Sequence, residues 1–279
     1  MKIEEAITLF GYHQGSNQKT RTIQSYRPLL QKIREQFVGR SFDSLGPDEI
    51  YGFLEAITQG QAKSTRRLRF AQFKAFYNSV IEKADLNMRN PCDAPILAKA
   101  FKAPRQVARR ILDRETVEEL IYNAENLRDR LILELQARCG LRIGESLKIT
   151  VKDVSDRRLI LQGPKSGKES EVAFMPEQIA KRLHDYIQQE NLAPEDRLFP
   201  ICYSTARAAI RRIGKRLNVS LTPHDLRRYS ATHASRNGIP LEIVSKVLLR
   251  HQDLKTTQAY LGRISEVEAI RWMDILHGR

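Results

Sequence analysis

The sequence predicts a mainly α-helical protein with one small antiparallel β-sheet, folded as an N-terminal helical domain followed by a C-terminal α+β domain. Three observations carry that prediction. Apolar residues recur at near-helical spacing through the first hundred residues and again beyond Pro176. Short β-prone runs occur only between Leu147 and Phe174. Prolines and unopposed basic residues separate the two halves, as interdomain linkers do.

Ile3, Ala6, Ile7 and Phe10 share one face of a short first helix. A second is expected from about Lys19 to Phe37, with Ile23, Tyr26, Leu30, Ile33 and Phe37 on its apolar side. Pro47, Asp48 and Glu49 mark the start of a third, since proline suits the first turn and acids suit the positive end of the helix dipole. Ile50, Phe53, Leu54 and Ile57 are its apolar residues. A fourth runs from about Ser64 to Lys83 around Leu68, Phe70, Phe73, Phe76, Tyr77, Val80 and Ile81. Near its N-terminal end stand Lys63, Arg66, Arg67, Arg69 and Lys74. Their sequence neighbours are hydroxyls and amines rather than acids, so the run is expected to be unpaired and to suit phosphate contacts. These helices make a domain over residues 1–90.

Residues 91–110 are expected to be a basic linker: NPCDAP supplies prolines, and Lys99, Lys102, Arg105, Arg109 and Arg110 follow with no acid among them. The second domain, residues 111–279, opens on LDRETVEELI, where Asp113 can cap a helix and Glu115 and Glu118 favour its first turn. Helices continue to about Cys139. KITVKDV, RLILQ and SEVAF are the expected strands, with GPKSGK as a lysine-bearing hairpin turn between the last two. From Pro176 onward helices return, broken by turns at Ala193-Pro194, Thr222-Pro223 and Gly238-Ile239-Pro240.

The chain carries 47 lysines and arginines against 33 acids, a formal net charge of +14. Charge of that sign favours a polyanionic partner, with nucleic acid ahead of an anionic membrane surface. No apolar run is long enough to span a bilayer, and MKIEEAITLF has acids where a signal peptide needs an apolar core. A soluble, cytoplasmic, nucleoid-associated protein is expected. Three widely spaced cysteines without a CxxC pair fit neither a disulfide framework nor a zinc site.

Four stretches of the second half stand out: CGLRIGESLKI with Arg142 and Glu145, GPKSGK with Lys165 and Lys168, TPHDLRRYSATH with His224 and Arg227, and LLRHQDLKTTQAYLG with His251 and Tyr260. Taken singly, each has an ordinary reading. Arg142 is a surface arginine or an ion-pair partner of Glu145, and a lone tyrosine is more often a core residue than a nucleophile. GPKSGK is one residue short of a nucleotide-binding loop and has Glu169 where that loop needs Ser or Thr. His224-Asp225, His233 and His251 lack metal-ligand spacing. His184 and His277 are read as surface residues.

Taken together, the order Arg, Lys, His-x-x-Arg, His, Tyr resembles the tyrosine recombinase (phage-type integrase) family, in particular its simple two-domain, Xer-like members. The resemblance covers about Leu112 to Gly262, and HDLRRYSATH and the His251-to-Tyr260 spacing are its most specific parts. It departs from the family at Arg250, where a small residue is usual, and at Arg228, where many relatives have histidine. The resemblance implies an N-terminal DNA-binding domain and a C-terminal catalytic domain acting on double-stranded DNA at a specific target site, as a homo- or hetero-tetramer. It assigns Tyr260 the attack that leaves a 3′-phosphotyrosine and a free 5′-hydroxyl. Lys165 then protonates the leaving oxygen, His224 assists proton transfer from Tyr260, and His251 donates to the scissile phosphate. Glu145 orients its neighbours, and Lys63, Arg66, Arg67, Arg69, Lys74, Lys99, Lys102 and Arg105 bind the DNA backbone. No cofactor and no metal is implied, because the phosphotyrosine link conserves the energy needed for rejoining.

These residue types suit that chemistry. Two guanidiniums can neutralise charge on non-bridging phosphate oxygens through planar paired hydrogen bonds, which fits Arg142 and Arg227. A free phenol titrates near ~10 and is a weak nucleophile until activated or held in line. The tail ISEVEAIRWMDILHGR reads as a short amphipathic helix that docks on its own domain or reaches a neighbouring subunit. Three rivals stay open: a type IB topoisomerase, a non-catalytic DNA-binding protein on the same fold, and an RNA-binding helical protein. Integration or excision of a mobile element and resolution of replicon dimers both stay open, with a slight tilt towards a simple Xer-like enzyme.

Overall fold

The computed structural model describes residues 1–17, 20–102, 111–164, 169–261, 270 and 273–275, with side chains left out for 12–21, 259 and 260. Chain contacts divide it into two compact units, Met1–Val107 and Ala108–Arg279. Lys165, Lys168, Arg105, Arg109, Arg110 and most of the C-terminal tail, including Ile264, Val267, Trp272 and Leu276, lie outside the described residues.

The first unit is helical: α1 (Ile3–Asn17), α2 (Thr20–Gln36), α3 (Pro47–Thr58), α4 (Lys63–Lys83) and α5 (Pro95–Ala100). The apolar stripes read from the sequence meet in one aromatic core of Phe10, Phe42, Phe53, Phe70, Phe73, Phe76 and Tyr77. Tyr77 donates its hydroxyl to the Phe42 carbonyl at 3.2 Å, so its one polar atom is satisfied inside the core.

Here two expectations are corrected. The stretch from residue 91 to Phe101 belongs to the first unit and is not part of a basic linker. Asn90 accepts from the Cys92 backbone N–H, Pro91 and Pro95 begin helical turns instead of breaking them, and Cys92, Leu97 and Phe101 are buried in the first unit. Phe101 stacks on Phe70 with ring centroids 5.4 Å apart. The basic run is also not unpaired. Arg66 pairs with Glu55 of α3, Lys74 with Asp93 at 2.5 Å, and Arg69 donates to the Ser25 carbonyl and to Gln72. Glu55, Asp93 and Ser25 lie 11 to 44 positions from the cations they meet, outside any local window. Lys63, Lys99 and Lys102 are exposed, and Arg67 lies over the Phe70 ring at 5.4 Å.

The second unit comprises α6 (Arg114–Tyr122), α7 (Leu127–Ala137), α8 (Ile143–Ser146), a three-stranded sheet, α9 (Glu177–Gln189), α10 (Tyr203–Arg216), α11 (Pro223–Arg236), a π-helical turn (Ile243–Leu248) and α12 (Leu254–Leu261). Asp113 caps α6 by accepting from the Thr116 N–H at 2.6 Å. Residues Leu131 to Ala137 of α7 are buried throughout, and α6, α9, α10 and α11 pack around that helix.

The sheet is antiparallel in the order β1 (Val154–Ser155), β2 (Arg158–Gln162), β3 (Ser170–Phe174). Leu159 lies opposite Ala173 and Leu161 opposite Glu171, so these four form its core-facing row, while Phe174 and Val172 face out. KITVKDV is mostly not a strand, which corrects the sequence expectation. Asp153 accepts from the N–H and the hydroxyl of Thr150 at 3.0 and 2.6 Å, closing a 3₁₀ turn. Val151 and Lys152 donate to the Asp196 and Pro194 carbonyls. A local side-chain turn thus overrides the β propensity of the run.

Candidate active site

Arg142, Glu145, Arg227 and His251 come together at the junction of α7–α8, the start of α11 and the segment after the π-helical turn. The first part depends on Gly140. Its φ is +61°, and a Cβ there would stand 2.8 Å from the Leu248 carbonyl oxygen, so glycine alone lets this turn approach the π-helical segment. Arg142 then starts α8. Glu145 accepts from its backbone N–H at 2.8 Å and from its Nη1 at 2.5 Å, which holds the guanidinium against the helix start. The Arg142 side chain keeps 27% of its surface exposed, so a solvent-borne anion can reach it.

TPHD builds the start of α11: Pro223 occupies the first turn, and Asp225 accepts from the N–H and hydroxyl of Thr222 at 2.9 and 2.6 Å. Asp225 also accepts from Arg228 Nη1 at 2.9 Å, which explains how a second arginine is tolerated in the interior. His224 is exposed at this helix end. Arg227, three residues on, is the largest fully buried side chain of the described residues. Its Nη1 donates to the Gly140 carbonyl and its Nη2 to the Leu249 carbonyl, joining two remote loops. Nη2 also lies 3.3 Å from His251 Nε2, and Nη1 lies 3.8 Å from Glu145.

His251 is buried. Its Nδ1 lies 2.9 Å from Thr257 Oγ1 on α12, and that hydroxyl donates to Ser245 Oγ at 2.8 Å. This order puts the proton on Nδ1 and turns Nε2 toward Arg227. Tyr260 follows Thr257 by three positions on α12, close to one helical turn, and α12 packs on α11. Its side chain is outside the described residues.

The electrostatics follow from burial and neighbouring cations. Burial, then Arg227, Arg142 and Arg250, push the His251 pKa down to about 4. Burial works to raise Glu145, but Arg250, the Arg142 N–H and the Arg142 guanidinium outweigh it and hold the carboxyl below its ordinary value. The free protein therefore carries a neutral His251 and an ionised Glu145 at neutral pH. Between about pH 6.5 and 4 the unfolded chain binds a proton at His251 that the folded one refuses. Stability should fall across that window by up to about 3 kcal/mol as pH drops, and be unaffected by this residue above it. Urea melts of the parent and a His251→Gln variant test this: the parent should lose more stability between pH 6.5 and 4, and parallel profiles would contradict the assignment.

Three participants were not read from the sequence. Arg250 stood out only as a departure, yet it is buried with its Nη2 3.1 Å from Glu145. Ser245 and Thr257, both fully buried, complete the His251 network. The TT of LKTTQAYLG was the available signal for Thr257, since a buried hydroxyl needs a polar partner.

The sequence pattern that defines the phage integrase family matches residues 110–266, more than half of the chain. This chain belongs to the phage integrase family. Among curated relatives, tyrosine recombinase XerA of Saccharolobus solfataricus is 32% identical over 151 residues, 53% of this chain and 50% of that protein. XerA of Pyrococcus horikoshii is 31% identical over 57% of this chain and 58% of its own length. The chain thus spans between 50% and 58% of the length of these two relatives. Tyrosine recombinase XerD of Pseudomonas aeruginosa is 28% identical over 92% of this chain and 90% of its own. A Tn1549 transposon integrase in complex with transposon right end DNA shares the fold with a TM-score of 0.76, at 15% identity over 100% of both chains. A lambda integrase dimer bound to a COC′ core site does so at 0.75 and 19% identity, over 94% of this chain and 95% of that one. The sequence prediction of a mainly helical protein with a small antiparallel sheet agrees with this fold.

Proposed function

We propose that this family member is a site-specific DNA recombinase that cleaves and rejoins strands through a 3′-phosphotyrosine at Tyr260. One observation supports this reading above the rest: Arg142, Arg227 and Arg250 converge on the Glu145 carboxylate, with Glu171 3.9 Å from Arg250. Three guanidiniums thus face two carboxylates around a neutral histidine, and the excess positive charge equals the single charge of a phosphodiester. Preorganised donors aimed at developing phosphate charge are the main means by which proteins accelerate such transfers.

In the proposed reaction Arg142 and Arg227 neutralise the non-bridging oxygens, and Tyr260 attacks in line. His224 assists removal of its proton, and Lys165 protonates the leaving 5′ oxygen. His251 must present a proton at Nε2 to donate to the phosphate. The Thr257–Ser245 hydroxyl pair can reverse its direction and let Nδ1 accept, which allows that change of tautomer. Glu145 orients the arginines. Lys63, Arg67, Lys99 and Lys102 supply backbone contacts to double-stranded DNA, and Arg66, Arg69, Lys74 and Arg105 join them. A lambda integrase tetramer bound to a Holliday junction and a lambda integrase dimer bound to a COC′ core site share this fold, which supports action as a tetramer on a specific target site. A place in the cytoplasm with the nucleoid follows from that substrate.

The test incubates the protein, without metal or ATP, with end-labelled fragments of the DNA flanking its own gene. The reading predicts complexes that survive detergent, formed on particular fragments, with the label retained on the 3′-phosphoryl side of the break and a free 5′-hydroxyl on the other. Relaxation of a supercoiled plasmid without fragment preference would point instead to a topoisomerase, and binding without any adduct to a non-catalytic DNA-binding protein.

A further inference from the structure

Arg250 is the least expected residue of the site, and its geometry is specific. It holds a left-handed backbone, φ +52°, where glycine carries no steric penalty and a long side chain does. Its side chain keeps only 4% of its surface exposed. Nη1 donates to the Leu248 carbonyl at 2.8 Å, and Nη2 donates to Glu145 Oε2 at 3.1 Å and to the Gly140 carbonyl at 3.3 Å. The Gly140 carbonyl is also the acceptor of Arg227, so the two guanidiniums meet on one oxygen.

The other edge of the fork faces the sheet. Arg250 Nε lies 3.9 Å from Glu171 Oε2, and these two buried atoms each lack a hydrogen-bond partner. A shift of roughly 1 Å would join them in a charge-assisted bond. Glu171 belongs to the core-facing row of β3, opposite Leu161 on β2, the strand that leads into the GPKSGK turn. A buried cation that costs desolvation and backbone strain is retained between the two carboxylates that belong to different parts of the unit.

We propose that Arg250 is a positioning residue: by holding Glu145 on one side and Glu171 on the other, it ties the β2–β3 hairpin to the Arg142–Arg227–His251 centre and fixes the Glu145 carboxylate on which Arg142 rests. It does not touch the substrate, since its Nη atoms are spent on two carbonyls and a carboxylate. The inference rests on the reading of this centre as a phosphodiester site, and the experiment separates the two.

Arg250→Gly removes the side chain while suiting the backbone, so it should fold. Arg250→Lys keeps the charge without the fork, and Glu171→Gln removes the second anchor alone. For each, the His251 ring protons are titrated by NMR in the free protein, and the adduct-forming rate and gel-shift affinity are measured on a fragment that the parent attacks. Arg250→Gly should raise the His251 pKa, because one of the cations depressing it is gone. It should slow adduct formation roughly tenfold or more with DNA affinity within about twofold. Arg250→Lys should restore the pKa but only part of the rate. Glu171→Gln should slow the parent and add little to Arg250→Gly, as expected of residues acting as one unit. An unchanged His251 titration with an unchanged rate, or effects of Arg250→Gly and Glu171→Gln that multiply, would overturn the proposal. Absence of any adduct from the parent would sink the phosphodiester reading instead, and the His251 titration would still decide whether Arg250 holds this centre.

Discussion

Replacing Arg227 by glutamine is expected to cost about 3 kcal/mol of stability and at least a hundredfold in adduct formation. The stability loss comes from what Arg227 joins. Its two Nη groups satisfy the Gly140 and Leu249 carbonyls, which belong to segments more than a hundred residues apart in sequence, and both carbonyls are interior. Removing the fork orphans Leu249 and leaves Gly140 to Arg250 alone. For a domain of this size the loss corresponds to a drop of roughly 6–12 °C in Tm. Arg227→Lys should recover little, because one ammonium cannot reach both carbonyls and face His251 at once. Thermal melts and single-turnover adduct time courses check both parts, and a lysine variant with parental stability and rate would contradict them.

Glu145→Gln is the second large effect. Glutamine keeps the shape and can still accept from the Arg142 N–H, so the α8 start should survive. What it loses is the negative charge that Arg142 and Arg250 contact and that Arg227 approaches to 3.8 Å. Cations left buried without their counter-charge typically cost about 3 kcal/mol or more. The cost has a pH signature. The folded Glu145 pKa lies below its ordinary value, so its contribution is full above about pH 4.5 and is lost as pH falls through the depressed value. The stability gap between parent and variant should therefore be widest at neutral pH and close in acid. Added phosphate should stabilise the variant more than the parent, since it supplies the missing anion. A gap independent of pH would mean that the carboxylate matters only for its shape.

The parts of the fold legible in sequence were those governed by local pattern. The aromatic stripe of α4 and the Asp113 cap need nothing beyond their own few residues, and RLILQ and SEVAF pair as their alternation suggests. KITVKDV misled because a Thr150–Asp153 side-chain turn competes with extended backbone, and nothing in β propensity registers it. The linker expectation stopped at prolines that in fact open helical turns, and the burial of Leu97 and Phe101 depends on a core assembled elsewhere. At the site, the pairing of Arg142 with Glu145 was visible as a three-residue spacing. The convergence of Arg227 and Arg250 on the Gly140 carbonyl spans 87 and 110 positions and has no sequence signature. Arg66 and Lys74 show the same lesson in reverse, since a cation without acidic neighbours in sequence can find Glu55 or Asp93 in space.

In the proposed reaction one tyrosine carries the DNA. The most direct measurement digests the detergent-stable adduct with trypsin and nuclease and sequences the nucleotide-bearing peptide by mass spectrometry, with a Tyr260→Phe protein in parallel. Cleavage after Lys255 and Arg263 isolates TTQAYLGR. The account predicts a nucleotide on Tyr260 of that peptide, and no adduct from Tyr260→Phe despite DNA binding within about twofold of the parent. A nucleotide on Tyr203, Tyr229 or any other residue, or an adduct that persists in Tyr260→Phe, would contradict it.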